Sequence, residues 1–177
     1  MNKLLEEIKK FGPGNNYTLS NNGLIATKSS GGYDWNCIVM GDKEIPKNKK
    51  SKWKIKLNTD ISGYYCDLYI GIGPNNPKGS LYDECWSFRC NDSRLIIKGK
   101  NLLYNNLNGK LKKGDIIEVI VDRKLSKLSF SINGVNNGIA CSEIPKEDVL
   151  YPTIIIYEKN HIVELIESQY INQLISS

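Results

Sequence analysis

Arginine is scarce: Arg89, Arg94 and Arg123 stand alone in a chain with a formal charge of +5. Lysine carries the positive excess, which serves solubility more readily than recognition of oxyanions by the forked guanidinium. Histidine occurs once, at His161, so no His-based metal set can form. The cysteines are Cys37, Cys66, Cys85, Cys90 and Cys141, an odd number without regular spacing. Cys85 and Cys90 are too far apart for a zinc knuckle, and no second pair follows. Asp60, Asp67, Asp83 and Asp92 lack the spacing of a calcium loop. No metal and no cofactor are therefore expected. No run of about 18 apolar residues exists, so no transmembrane helix is predicted. The segment Met1–Phe11 mixes charges with Leu4, Leu5 and Ile8 and lacks the apolar core of a signal peptide. Cysteines in such a chain read as reduced thiols, most of them small core residues, and the expected location is cytoplasmic or nuclear.

The 177 residues suit one domain, and 20.0 kDa buries enough surface to fold without staples. Residues 1–12 suggest a short amphipathic helix stopped by Gly12-Pro13-Gly14, and 168–177 a short helix or tail. Between them, over 15–167, helical periodicity disappears. Tyr17-Thr18-Leu19 and Leu24–Thr27 flank Asn21-Asn22-Gly23, a hairpin signal. Cys37–Met40 is a short apolar run. Trp53, Ile55 and Leu57 alternate with Lys52, Lys54 and Lys56, which predicts a strand with one dry and one wet face. Tyr69–Ile72 and Trp86–Phe88 continue that alternation. Ile116–Val121 is nearly all apolar, the pattern of a strand covered on both sides. Leu128, Phe130 and Ile132 alternate with serines and run straight into the turn Asn133-Gly134. Thr153–Tyr157 and Ile162–Ile166 close the series. Many short strands with helices only at the ends predict an all-β, two-sheet antiparallel sandwich. Trp53, Trp86, Phe130 and Ile132 are assigned to its core, and Trp35 is placed there too.

Residues 114–140, GDIIEVIVDRKLSKLSFSINGVNNGIA, resemble the core pattern of a SPRY domain. That pattern is Gly-Asp, an apolar strand ending in Asp, an apolar-Ser-Phe strand, an Asn-Gly turn and Gly-x-Ala. Leu150-Tyr151-Pro152 follows as expected. Upstream, Trp53–Leu57, Ile70–Gly73 and Cys85–Phe88 resemble three further strands of the family, in the right order. The chain departs from it at Glu118 and Cys85 and lacks the Leu-Asp-Pro segment of some members, which marks a divergent member. The resemblance implies a concanavalin-like jelly roll. Its diagnostic residues are folding requirements: Gly114 and Asp115 make a turn, and Asn133-Gly134 accepts positive φ.

Catalytic chemistry has little to stand on. His161 with one of the cysteines is the only conceivable Cys–His pair, and a turn histidine beside buried thiols is the simpler reading. Glu118 and Asp122 lie at pleat spacing without the second carboxylate pair a sandwich glycosidase needs. The chain is read as no enzyme. Lys43, Lys47, Lys49, Lys50, Lys52, Lys54 and Lys56 surround Trp53, but Trp53 falls on the dry face, away from the lysines, so base stacking beside them is disfavoured. Gly71-Ile72-Gly73 lacks the helix and lysine of a phosphate cradle.

The resemblance implies instead a non-catalytic protein-interaction module that binds a partner peptide or protein loop through loops at one rim, as a scaffold or as a substrate adaptor of a ubiquitin ligase. The matching segments here are Lys28–Asp34, Pro74–Asp83 and Tyr157–Asn160. Each carries a tyrosine, Tyr33, Tyr82 and Tyr157, the residue type that buries area at low entropic cost while keeping a polar tip. Ser30, Asp83 and Glu158 are candidates to orient peptide amides. The expected partner is a protein or peptide bound by a monomer, with no membrane and no nucleic acid. The alternative is a carbohydrate- or nucleotide-binding, lectin-like sandwich.

Overall fold

The computed structural model describes residues 8–32, 35–61 and 68–166. In chain order the strands are β1 (Tyr17–Ser20), β2 (Ile25–Lys28), β3 (Cys37–Met40), β4 (Lys50–Leu57), β5 (Leu68–Gly73), β6 (Trp86–Arg89), β7 (Arg94–Ile97), β8 (Lys100–Leu102), β9 (Ile116–Asp122), β10 (Lys127–Ile132), β11 (Val135–Cys141), β12 (Tyr151–Ile156) and β13 (Ile162–Ile166). They form a seven-stranded sheet, β1-β2-β13-β4-β9-β10-β11, and a six-stranded sheet, β3-β12-β5-β6-β7-β8. Neighbours pair antiparallel throughout, so the sandwich expected from the turn-punctuated pattern is the fold observed.

Pleat alternation fills the space between the sheets. Trp53, Ile55 and Leu57 enter from β4, Ile117, Val119 and Val121 from β9, and Ile70, Ile72 and Phe88 from the facing sheet. Phe88 and Phe130 meet at 5.8 Å between ring centroids, with Tyr104 edge-on to both. Ile132 packs on this core but is only half-buried. The Gly-Asp and Asn-Gly motifs are one hydrogen-bonded unit. Asp115 accepts from the Lys112 N–H at 2.8 Å and from the Asn133 side-chain amide at 3.0 Å, while Asn133 accepts from the Ile116 N–H at 2.9 Å. Gly134, at φ +83°, closes the β10–β11 hairpin in the left-handed region that favours glycine.

Three expectations need correction. Ile116–Val121 is not covered on both sides: β9 alternates, with Ile117, Val119 and Val121 buried and Ile116, Glu118 and Ile120 half-exposed. The strands buried on both faces are β5, β6 as far as Phe88 and, Tyr151 apart, β12, where alternation was expected for β5 and β6. Helix is not confined to the ends, because Leu81–Glu84 forms a single turn, α1. Ser80 caps it by accepting from the Tyr82 N–H at 3.2 Å. The 168–177 segment lies outside the described residues, as does most of the 1–12 helix; residues 8–12 are not helical, and Phe11 bridges to Gly41.

Candidate functional site

The second buried face of β5 and β12 creates the site. Tyr69 and Ile155, with Ile38 of β3 and Ile96 of β7, point outward from the sandwich, and Leu81, Cys85 and Tyr82 pack on them. Gly73 permits this close cover, because a Cβ there would lie 3.3 Å from the Leu81 Cδ1 and 3.5 Å from the Cys85 Cβ. The cover is incomplete. A pocket of about 460 Å³ remains, with Ile38, Tyr69 and Ile155 as its floor, Trp35 on one wall and Leu81 and Tyr82 on the other. Asn36 and Ser80 are among its polar members, and among the described residues no charged side chain lines it.

The aromatic rings form a chain across this face. Tyr157 lies 4.6 Å from Trp35, Trp35 stacks on Tyr69 at 5.3 Å and 14°, and Tyr69 meets Tyr82 at 6.1 Å. Tyr69 is 2% exposed and its hydroxyl is held by Arg89, which is itself paired with Asp92 at 2.5 Å. Those bonds, the Asp92 contact first, raise the Arg89 pKa further above its ordinary range. Trp35, by contrast, is 45% exposed, so its assignment to the core is wrong. It lies on the outer face, stacked on Tyr69 and against Tyr157, while Cys37 and Val39 of the adjoining strand are buried.

The loops do not all leave one rim. The register aligns Cys37, Ile156 and Leu68 at one end of the six-stranded sheet, and Tyr151 and Gly73 at the other. Segments 29–36 and 157–161 leave the first end. Segment 74–85 leaves the second and folds back over the outer face, so Tyr82 meets Tyr69 on a sheet face rather than at a rim. The carboxylate of Glu84 accepts the Gly79 N–H at 2.8 Å and steadies that return, and its pKa is lowered chiefly by this bond.

Of the candidate residues, Tyr82 and Tyr157 belong to this aromatic chain, and Tyr33 lies outside the described residues. Ser30 is turned away: its hydroxyl donates to the Asn16 side chain at 3.0 Å. Asp83 reaches the β7–β8 turn at Gly99, and Glu158 offers its carbonyl to the His161 N–H at 3.4 Å. Neither lines the pocket. Sequence reasoning missed Trp35, Tyr69, Ile38 and Ile155. The signal was the unbroken apolar run Ile154-Ile155-Ile156, which demands cover on both faces of β12.

His161 and the thiols of Cys37, Cys85 and Cys90 are packed away, while Cys141 is half-buried. His161 is 3% exposed; Nδ1 contacts the Thr59 hydroxyl, Nε2 has no partner, and burial lowers its pKa. Burial pushes the Cys85 thiol up to about 11 and Cys90 well above its ordinary value. Among the described residues no three His, Cys, Asp or Glu side chains cluster as metal ligands. Among them, too, no helix is long and apolar enough to cross a membrane. Trp53 is buried opposite the lysines of β4, whose register neighbours on the open face include Glu118, Asp122 and Glu164.

The sequence matches the family model described as Neuralized over residues 12–167. No curated protein matches it. The fold is similar to the SPRY domain of human HERC1, at a TM-score of 0.71 and 18% identity, covering 92% of this chain and 98% of that one. It is similar too to the Drosophila melanogaster neuralized NHR1 domain, at 0.60 and 17%, covering 90% and 98%. A human SPRY domain aligns at 0.61 and 14%, covering 88% and 95%. The chain belongs to the Neuralized family, a SPRY-like sandwich whose domains are protein-interaction modules.

Proposed function

We propose that the domain captures an extended peptide segment or protein loop on the outer face of its six-stranded sheet, without catalysis. The observation that carries the reading is the largely apolar, aromatic-walled pocket between Trp35 and Tyr82, floored by Tyr69 and Ile155. An apolar side chain inserted there desolvates rigid aromatic walls, and Asn36 and Ser80 supply polar groups beside it. Tyr82 and Tyr157 are the anchors kept from the sequence, with Trp35 added; Ser30, Asp83 and Glu158 are assigned at most rim contacts, and Tyr33 lies outside the described residues. A role as scaffold or ubiquitin-ligase adaptor follows from the family resemblance alone. The free thiols Cys85, Cys90 and Cys141 fit a reducing compartment such as cytosol or nucleus.

The test is selection from a random peptide library, followed by calorimetry of the selected peptide on Trp35→Ala and Tyr82→Ala. At least one variant should lose about 2 kcal/mol or more of binding while staying folded. Wild-type affinity in both would refute the site. The exposed indole of Trp35 is also the kind of surface on which a sugar ring stacks. A glycan array run beside the peptide library separates the two, and sugar binding abolished by Trp35→Ala would favour the lectin-like alternative.

A further inference from the structure

Lys28, the last residue of β2, is fully buried. A buried ammonium is tolerated only when its protons are bonded. Its Nζ donates to the Gly32 carbonyl at 2.9 Å and to the Tyr157 carbonyl at 2.6 Å, and lies 6.0 Å from the Tyr157 ring centroid. Those carbonyls belong to two loops far apart in sequence. One, 29–36, carries Trp35; the other, 157–161, begins with Tyr157. Their rings form the 4.6 Å contact at the end of the aromatic chain. The main chain of Lys28 joins them too: its N–H donates to the His161 carbonyl at 3.0 Å, and its carbonyl accepts from the Asn160 N–H at 2.9 Å.

Arg123 offers an internal control. It is also fully buried and also bonds loop carbonyls, those of Ile45, Lys146 and Asp148. It follows the last residue of β9, at the end of the sandwich where β4 begins, and neither of the two loops it bonds carries a residue of the aromatic chain. Two buried cations thus do similar work for the fold, but only one bonds the loops that carry Trp35 and Tyr157.

We propose that Lys28 is the positioning residue of the partner site: its ammonium ties Gly32 to Tyr157, so that Trp35 and Tyr157 are aligned before a partner arrives. This rests on the aromatic face being the binding surface. Alignment in advance removes the cost of ordering two loops on binding, and a site populated only part of the time loses affinity by that fraction. Lys28→Met keeps the aliphatic stem and deletes the donors.

The experiment uses the full chain labelled with 5-fluorotryptophan, whose three tryptophans give three fluorine resonances, with Trp35 assigned through Trp35→Phe. Lys28→Met should shift and sharpen the Trp35 resonance alone, leaving those of Trp53 and Trp86 in place. It should weaken the library-selected peptide on the order of tenfold. Arg123→Met should lower the unfolding midpoint without moving the Trp35 resonance or the affinity. An unmoved Trp35 resonance in Lys28→Met overturns the proposal, as does an equal shift in Arg123→Met, which would mean general loosening. If Lys28→Met does not fold, Lys28→Gln, which keeps an amide donor without the charge, is read by the same two outcomes. Full affinity in Lys28→Met with loss in Trp35→Ala sinks the positioning role alone; full affinity in both Trp35→Ala and Tyr82→Ala sinks the site itself.

Discussion

On the outer face of the seven-stranded sheet, β4 holds Lys50, Lys52 and Lys54 in water, with Asp122 and Glu118 opposite the first and last of these on β9. On the outer face of the six-stranded sheet, the equivalent layer is Ile38, Tyr69, Ile96 and Ile155, covered by α1 and its loop. The two faces belong to one small sandwich and share its core. What differs is their chemistry: cross-strand charge pairs keep the first face wet and unattractive to other strands. The second needs a cover, and the cover supplied by its own chain leaves an aromatic pocket open. An incompletely covered apolar face is a place where a partner gains by completing the burial.

The comparison can be broken at several levels. The shared core sets the scale: Phe130→Ala should cost about 3–5 kcal/mol in urea unfolding. A loss under about 1 kcal/mol would mean that the sheets are not packed through Phe88 and Phe130. Next come the faces themselves. Ile155→Ala, on the covered face, should cost about 2–4 kcal/mol. Ile120→Ala, on the open face, should cost about 1 kcal/mol or less, because its side chain already meets water. Equal losses would erase the distinction between the faces.

A smaller effect concerns pH. His161 sits in the 157–161 loop with its pKa lowered by burial, so the unfolded chain binds a proton that the folded chain refuses. Its contribution to stability is complete above the unfolded value near 6.5 and falls as the pH drops through it. Denaturant midpoints measured from pH 7.5 to 5 should decline, and His161→Asn should flatten that decline; an unchanged slope would assign it to other groups. The least effect is expected from Lys52→Ser with Lys54→Ser, within about 0.5 kcal/mol of wild type in stability and neutral in peptide affinity.

The sequence declared its inner architecture more openly than its outer one. Asn21-Asn22-Gly23 and Asn133-Gly134 place hairpins because few residues accept positive φ. Alternation in β4 and around Phe130 announces the dry side, since a one-residue slip would expose it. The two misread runs have a common cause. Ile116 and Ile120 on β9 and Tyr69 and Ile155 on the other sheet look alike in composition, and only the tertiary path of segment 74–85 decides which is covered. That path is fixed by Leu81 and Cys85 packing close over Gly73 and by Ser80 capping α1. Tyr82 and Tyr157 were legible as loop tyrosines. Trp35 was not, because a tryptophan beside a buried strand reads as core until the facing volume is known to be full. Lys28 was hidden for the opposite reason: nothing local distinguishes a buried lysine from the many solvated ones.

Hydrogen–deuterium exchange of the domain with and without a library-selected peptide tests the central claim most directly. The account predicts slowed exchange in residues 35–38, 77–82 and 155–157, and none in β4 or β9. Protection confined to β4 and β9, with segment 77–82 unchanged, would contradict it.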